Sequence, residues 1–345
     1  MSSDSAHVVR LAGERVSFRL HLRPLVVGLV LAAVATVGAI FMIGTGDYPL
    51  SPGQVVETLL GGGDSSTAFI VETLRLPRTL TALLVGAALG VAGAIFQSIA
   101  RNPLGSPDVI GFTYGAATGA LVVILVWDGG SRAIAIGAIV AGFLTAAAVY
   151  LLSLRGGVQG YRLVLVGIGI GAMMLAVNDY LITRARKDDA YEAARWLVGS
   201  LNDAAWENVV PIAIALAVLL PVALLLGRRL RMLEMGDDAA KALGVNVERS
   251  RLALSGTGVA LTAVGVASTG PIAFVALAAP QLARRLTRTP SPGLATSALM
   301  GATVLVLSDL AGQRLAPKDL PVGVVTGLVG GVYLAWLLSR EWRSR

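Results

Sequence analysis

Arg75 and Arg78 bracket Leu76 and Pro77 in the stretch RLPR, just ahead of one of the most apolar segments of a 345-residue chain. Guanidinium groups beside an apolar run have two simple uses. They help set membrane orientation from the cytoplasmic side, or they snorkel to lipid headgroups and fix the depth of a helix. Other chemistry is thin. Both histidines, His7 and His21, lie near the N-terminus, so no histidine triad or histidine-liganded metal site forms within an apolar span. There is no cysteine, which excludes disulfides, zinc thiolates and redox thiols. Lys187, Lys241 and Lys318 are followed by Asp, Ala and Asp, so no G-x-x-x-x-G-K-[ST] phosphate loop exists. If nucleotide drives this protein, another chain binds it. Asp309 in VLSDLAG and Asp179 in AVNDYL are ionisable groups within apolar runs, as an ion-coupled secondary transporter would require. Both sit toward the ends of their runs, where a helix-terminal carboxylate paired with a nearby donor is the other reading.

The elements that position these groups are membrane helices. The chain is 55% hydrophobic and 14% charged, with a mean hydropathy of +0.74. Soluble domains carry about 25% charged residues, so the deficit points to a lipid solvent. Ten apolar spans are expected, at 24–44, 79–99, 112–127, 132–153, 162–182, 208–227, 252–268, 272–287, 293–312 and 322–338. An even count puts both termini on one side. With the N-terminus in the cytoplasm, nineteen of the 28 Lys and Arg residues are inside and nine outside, a clear positive-inside bias. This N-in, C-in arrangement leaves Arg75 and Arg78 outside, where an orientation signal is not needed. Residues 1–22 read as a disordered basic cytoplasmic tail near anionic lipid, 23–340 as the helical domain, and 228–251 as a cytoplasmic loop within it. The net charge of +7 is spread between spans and termini rather than gathered in one arm, so membrane topology explains it and nucleic acid does not.

Small residues are dense inside the spans, as in LVGAALGVAGAIF, and predict a tightly packed bundle rather than a channel. Two cytoplasmic stretches stand out. In SIARNPLGSPDVIGFTYGAA, Pro103 and Pro107 disfavour helix at Asn102 and Ser106. The stretch reads either as a tight turn or as a non-helical lining at the inner end of a pathway. MGDDAAKALGV reads as a short helix with Asp237 and Asp238 at its start and Gly244 as its stop. Ala239, Ala240 and Leu243 would give it a small apolar face, suited to a partner's cleft or to lipid headgroups.

Four motifs in order, RLPRTLTALLVGAALGVAGAIFQSIARNPLGSPDVIG, GDDAAKALGV, GPIAFVALAAPQLARRL and LPVGVVTGLVGGVYLAWLL, resemble the FecCD/BtuC-type permeases. Pro280-Gln281 stands where many members read PH, and with GGVYLAWLLSREWR the chain looks most like the ferric-enterobactin permease branch. The resemblance implies an all-α, ten-helix, BtuC-like fold of the ABC type II importers in a bacterial cytoplasmic membrane. It implies a second permease subunit, either a copy or a paralogue, two ABC ATPase subunits holding ATP and Mg²⁺, and an extracytoplasmic siderophore-binding protein. No cofactor is expected on this chain. By the same resemblance, Arg75 and Arg78, joined by Arg314, are expected to pair with glutamates of the binding protein. Gly236, Asp237, Asp238, Ala239, Ala240, Leu243 and Gly244 match the helix that docks on the ATPase. Asn102 and Leu104 match a cytoplasmic gate, with Gly160 and Tyr161 forming its other part. Haem or cobalamin permeases of the same family, and an ion-coupled transporter, are the alternatives.

Overall fold

A computed structural model describes residues 7–11, 16–20, 22–154, 160–315 and 320–343. A short antiparallel ribbon, β1 (His7–Leu11) and β2 (Val16–Leu20), precedes the helices. The sequence led to the expectation of an unstructured tail here; the ribbon pairs His7 with Leu20 and Leu11 with Val16. The helices follow as α1 (Leu22–Gly44), α2 (Pro52–Leu59), α3 (Ser65–Ala68), α4 (Leu76–Ala100), α5 (Phe112–Trp127), α6 (Ser131–Leu152) and α7 (Gly160–Arg184). Then come α8 (Lys187–Val198), α9 (Trp206–Glu234), α10 (Asp237–Ala242), α11 (Val247–Thr269), α12 (Val275–Thr287), α13 (Leu294–Leu315) and α14 (Val322–Arg343).

The ten expected spans fall on α1, α4, α5, α6, α7, α9, α11, α12, α13 and α14. Among the described residues, seven helical runs are long and apolar enough to cross a membrane alone. α5 and the apolar part of α14 are shorter. α12 departs most from expectation. The predicted span 272–287 begins non-helically, because Gly270 (φ 72°) and Phe274 (φ 68°) are left-handed and Pro271 lies between them. The 13 residues of α12 rise about 20 Å, short of a hydrocarbon core.

Contacts sort the connections into two sets that match the charge tally. At the outer end, the Trp206 indole donates to Glu72 O (3.1 Å) and Ser200 N–H donates to Thr269 O (2.8 Å). At the inner end, the Arg23 Nε–H donates to Leu286 O (2.9 Å) and the Ser291 hydroxyl bonds the Glu234 carboxylate.

α4 is the axis of the bundle, packed by α13, α12, α11 and α9. Glycines allow this. A Cβ on Gly86 or Gly90 would stand 2.4 Å from Gly301 O or 2.1 Å from Ser297 O, and one on Gly93 would stand 1.7 Å from Ala276 O. Backbones therefore meet directly along α4, as the density of small residues predicted. The outer mouth has a second close approach, where the end of α8, the end of α11 and the start of α14 converge. Gly323 N–H donates to Gly199 O (3.1 Å), and a Cβ on Gly323 would stand 1.7 Å from Val198 O. This gives the glycine of the LPVG motif its reason. Gly323→Ala is expected to push the start of α14 off α8, exposing residues 199–201 to faster amide exchange. Unchanged exchange there would refute the contact.

RLPR lies inside a helical run rather than at its start. α3, a π-helical segment (Phe69–Arg75) and α4 form one helical run, Ser65–Ala100, of 36 residues. In the π segment Leu76 N–H reaches back five residues to Val71 O. That widened turn gives room for the ring of Pro77, whose missing N–H would otherwise break the ladder.

Candidate functional site

The outer site is built where α1, α4 and α13 end together. The Arg75 guanidinium donates to Ile43 O (2.8 Å) and Tyr48 O (2.7 Å), closing the loop that leaves α1. One turn on, Arg78 forks onto Asp309 of α13, with Nε–H to Oδ2 at 2.9 Å and Nη2–H to Oδ1 at 3.0 Å. The Asp309 side chain is fully buried, and the Gln313 amide donates to its Oδ2 at 2.7 Å. Arg314, next along α13, donates to Thr45 Oγ1 from Nε (3.3 Å) and Nη2 (3.1 Å) and lies 5.8 Å from the centre of the Phe41 ring. It borders a depression of about 350 Å³ shared with Phe41, Thr45 and Pro49.

The structure thus brings all three expected arginines to the outer ends of α4 and α13, in different states. Arg75 is half-buried and tied to two carbonyls, Arg78 is held in a bidentate ion pair, and Arg314 is exposed. Asp309 takes the paired-carboxylate reading. Asp179 is exposed on α7, beside the buried Asn178, whose Oδ1 accepts from the Thr118 hydroxyl (2.7 Å). Among the described residues, no cluster of three or more His, Asp or Glu is placed to hold a metal. Residues 316–319, between Arg314 and the LPVG motif, lie outside the described residues.

The inner site centres on α10. Gly236 (φ 109°) turns the chain out of α9 and Gly244 (φ 79°) stops the short helix. Val245 N–H bonds to Ala240 O across that stop. Asp237 faces inward, 2.8 Å from Arg251 of α11 and 3.7 Å from Arg101. Ala240 was expected on the outward apolar face but is fully buried. It lies one turn from inward-facing Asp237 and packs under the helix instead. The outward surface carries Met235, Asp238 and Leu243, with Ala239 partly covered.

The expected gate residues are neighbours. The backbone N–H of Leu104 donates to Asn102 Oδ1 (2.9 Å), a side-chain turn that holds the RNPL loop without helix. Asn102, Leu104 and Tyr161 are exposed. Gly160 is buried on the last turn of α4, where a Cβ would stand 2.7 Å from Ile99 O and 3.1 Å from the Ala100 Cα. Residues 155–159 of the second gate loop lie outside the described residues. Two contacts carried no local signal in the sequence: Asp309 stood out as a charge in an apolar run, but its partner Arg78 is 231 positions away, and nothing around Arg101 pointed to Asp237.

A bundle with glycine-lined backbone contacts, a charged outer rim and a short inner helix between two long spans is the architecture of a multi-pass membrane protein. The chain belongs to the FecCD transport family, which matches residues 24–340. It is 47% identical, over 94% of its length and 98% of the relative's, to the ferric enterobactin transport system permease protein FepG of Escherichia coli (strain K12). It is 37% identical, over 95% of its length and 98% of the relative's, to the Fe(3+)-citrate import system permease protein YfmE of Bacillus subtilis (strain 168). Among solved structures it is similar to a chain described as an inward-facing conformation of a metal-chelate type ABC transporter. That similarity has a TM-score of 0.81 and 29% identity, covering 92% of this chain and 99% of the other.

Proposed function

We propose that this chain is the permease subunit of an ATP-driven importer that carries an iron(III)–siderophore complex across the cytoplasmic membrane. The chelate is of the enterobactin type, and a binding protein on the outer face delivers it. The observation that carries this reading is the extent of the likeness to FepG, which covers nearly the whole of both chains. The structure adds an exposed Arg314 at the outer rim and an inner helix, α10, with Asp238 and Leu243 exposed on its outward face. In the working importer a second permease, a copy or a paralogue, completes the pathway. Two ATPase subunits hold ATP and Mg²⁺, and one of them docks on α10 of this chain. Asn102 and Leu104 form the cytoplasmic gate with the loop at Gly160 and Tyr161, and Arg314 receives a carboxylate of the binding protein.

Co-purification through a tag on this chain, followed by vanadate-sensitive uptake of radioiron-labelled enterobactin, tests the assignment. Uptake that persists without an ATPase partner would overturn it. Arg314→Glu should weaken docking of the loaded binding protein about tenfold or more, chiefly by slowing association, with the ATPase still bound. Unchanged docking kinetics would remove Arg314 from that interface.

A further inference from the structure

The end of α4 adjoins α10 and both expected gate segments, and its geometry is unusual. Arg101 adopts φ 50°, ψ 35°, the left-handed conformation that favours glycine. Its N–H bonds to Ser98 O (3.2 Å), and Asn102 N–H bonds to Gln97 O (3.1 Å), the hydrogen-bond pair that terminates a helix around a left-handed residue. An arginine there costs backbone energy that glycine would not. Its side chain gives the compensating contact, lying 3.7 Å from the Asp237 carboxylate. A Cβ on Gly236, the residue that turns the chain into α10, would stand 3.5 Å from the Arg101 guanidinium. Asp237 Oδ1 is shared with Arg251, which is itself buried in α11. Asn102 and Leu104 follow directly, and Gly160 rests on Ile99 and Ala100. One carboxylate at the start of α10 therefore sits between a buried anchor on α11 and a strained residue joined to both gate loops.

We infer that Asp237 and Arg101 form the transmission contact of this permease, carrying movement of α10 to the end of α4 and so to the two gate loops. The inference rests on the reading of α10 as the ATPase-docking helix and of residues 102–104 and 160–161 as the gate. Arg251 holds the carboxylate in place, and Arg101 is the moving partner, more exposed and at longer range. Arg101 is thus a positioning residue. Its effect is on how much transport each ATP hydrolysed produces, not on whether the complex forms.

Glycine at 101 separates this role from a structural one, because it removes the charge while favouring the observed backbone. In the reconstituted importer, with its ATPase and binding protein, R101G should retain the bound ATPase and its hydrolysis rate. Its melting temperature should equal or exceed that of the unaltered protein. Radioiron-labelled enterobactin carried per ATP should fall about tenfold, the scale of a typical coupling free energy. R101K should recover most of that ratio. An unchanged ratio in R101G, or transport and hydrolysis falling in step, would overturn the inference. Failure of the unaltered chain to retain an ATPase would instead overturn the reading on which it rests.

Discussion

Replacing Arg78 with alanine is expected to destabilise the protein by about 3–5 kcal/mol, a cost seen when one partner of a buried ion pair is removed. The reason lies at Asp309. Its side chain has no exposure, and its two oxygens take both prongs of the Arg78 fork, with Gln313 a further donor. Without Arg78, one neutral amide would face a buried carboxylate. The check is thermal unfolding of the purified chain in detergent, with Arg314→Ala measured alongside. Among the described residues, Arg314 hydrogen-bonds a threonine hydroxyl and lies over the Phe41 ring on an exposed rim, so its loss should leave unfolding nearly unchanged. Replacing Arg78 and Asp309 together by Met and Leu should recover most of the lost stability, because no unpaired charge remains. If Arg78→Ala melts like the unaltered protein yet fails to dock the binding protein, the ion pair is dispensable and Arg78 faces the partner. This bears on how docking mutants are read. A double charge reversal at Arg75 and Arg78 would stop uptake through damage to the fold, so Arg314 is the cleaner probe.

The second large effect is expected at Gly93, where α4 crosses α12. A methyl group there would point into the Ala276 carbonyl at 1.7 Å, with the Ala276 Cα at 3.0 Å. No side chain stands between to rotate away, so the helix backbones themselves must separate. Gly93→Ala should therefore cost about 1–3 kcal/mol or more, the range for an overpacked core. Gly93→Leu should prevent recovery of folded protein. Gly256 on α11 is the control. It has open space around its Cβ position, and alanine there should be neutral or slightly stabilising, as expected of glycine replaced in a helix. Equal effects at Gly93 and Gly256 would mean that the helices adjust to each other more freely than these contacts allow.

Much of this architecture can be read from the residues. Apolar runs separated by Pro, Gly and Arg located a helix at each of the ten expected positions, seven of them in runs long and apolar enough to cross a membrane alone, because lipid requires continuous apolar helix wherever backbone crosses it. The glycines of α4 announced close packing, and GDDAAKALGV announced its own start and stop. Long-range pairing was not readable. Nothing near Arg78 in the sequence points to Asp309, and a burial-driven choice between a free and a paired arginine depends on α13 arriving beside α4. Ala240 failed for a related reason. Periodicity places it on a face with Ala239 and Leu243, but only the bonds of Asp237 to Arg251 and Arg101 decide which side of α10 faces inward. The start of α12 was misread because an apolar run looks alike whether its backbone is helical or not; the left-handed Phe274 is a tertiary outcome.

The unbroken run from Ser65 to Ala100 has a mechanical consequence. At about 1.5 Å per residue it extends roughly 50 Å, well beyond the thickness of the hydrocarbon core. Arg75 and Arg78 sit about a third of the way along this strut from its outer end, and Arg101 terminates the other end. The compliant part, the π-helical turns, lies outside Arg78; below it the strut is regular helix gripped on several sides. Axial load or tilt applied at the outer ion pair therefore has no soft joint in which to dissipate before it reaches the cytoplasmic end.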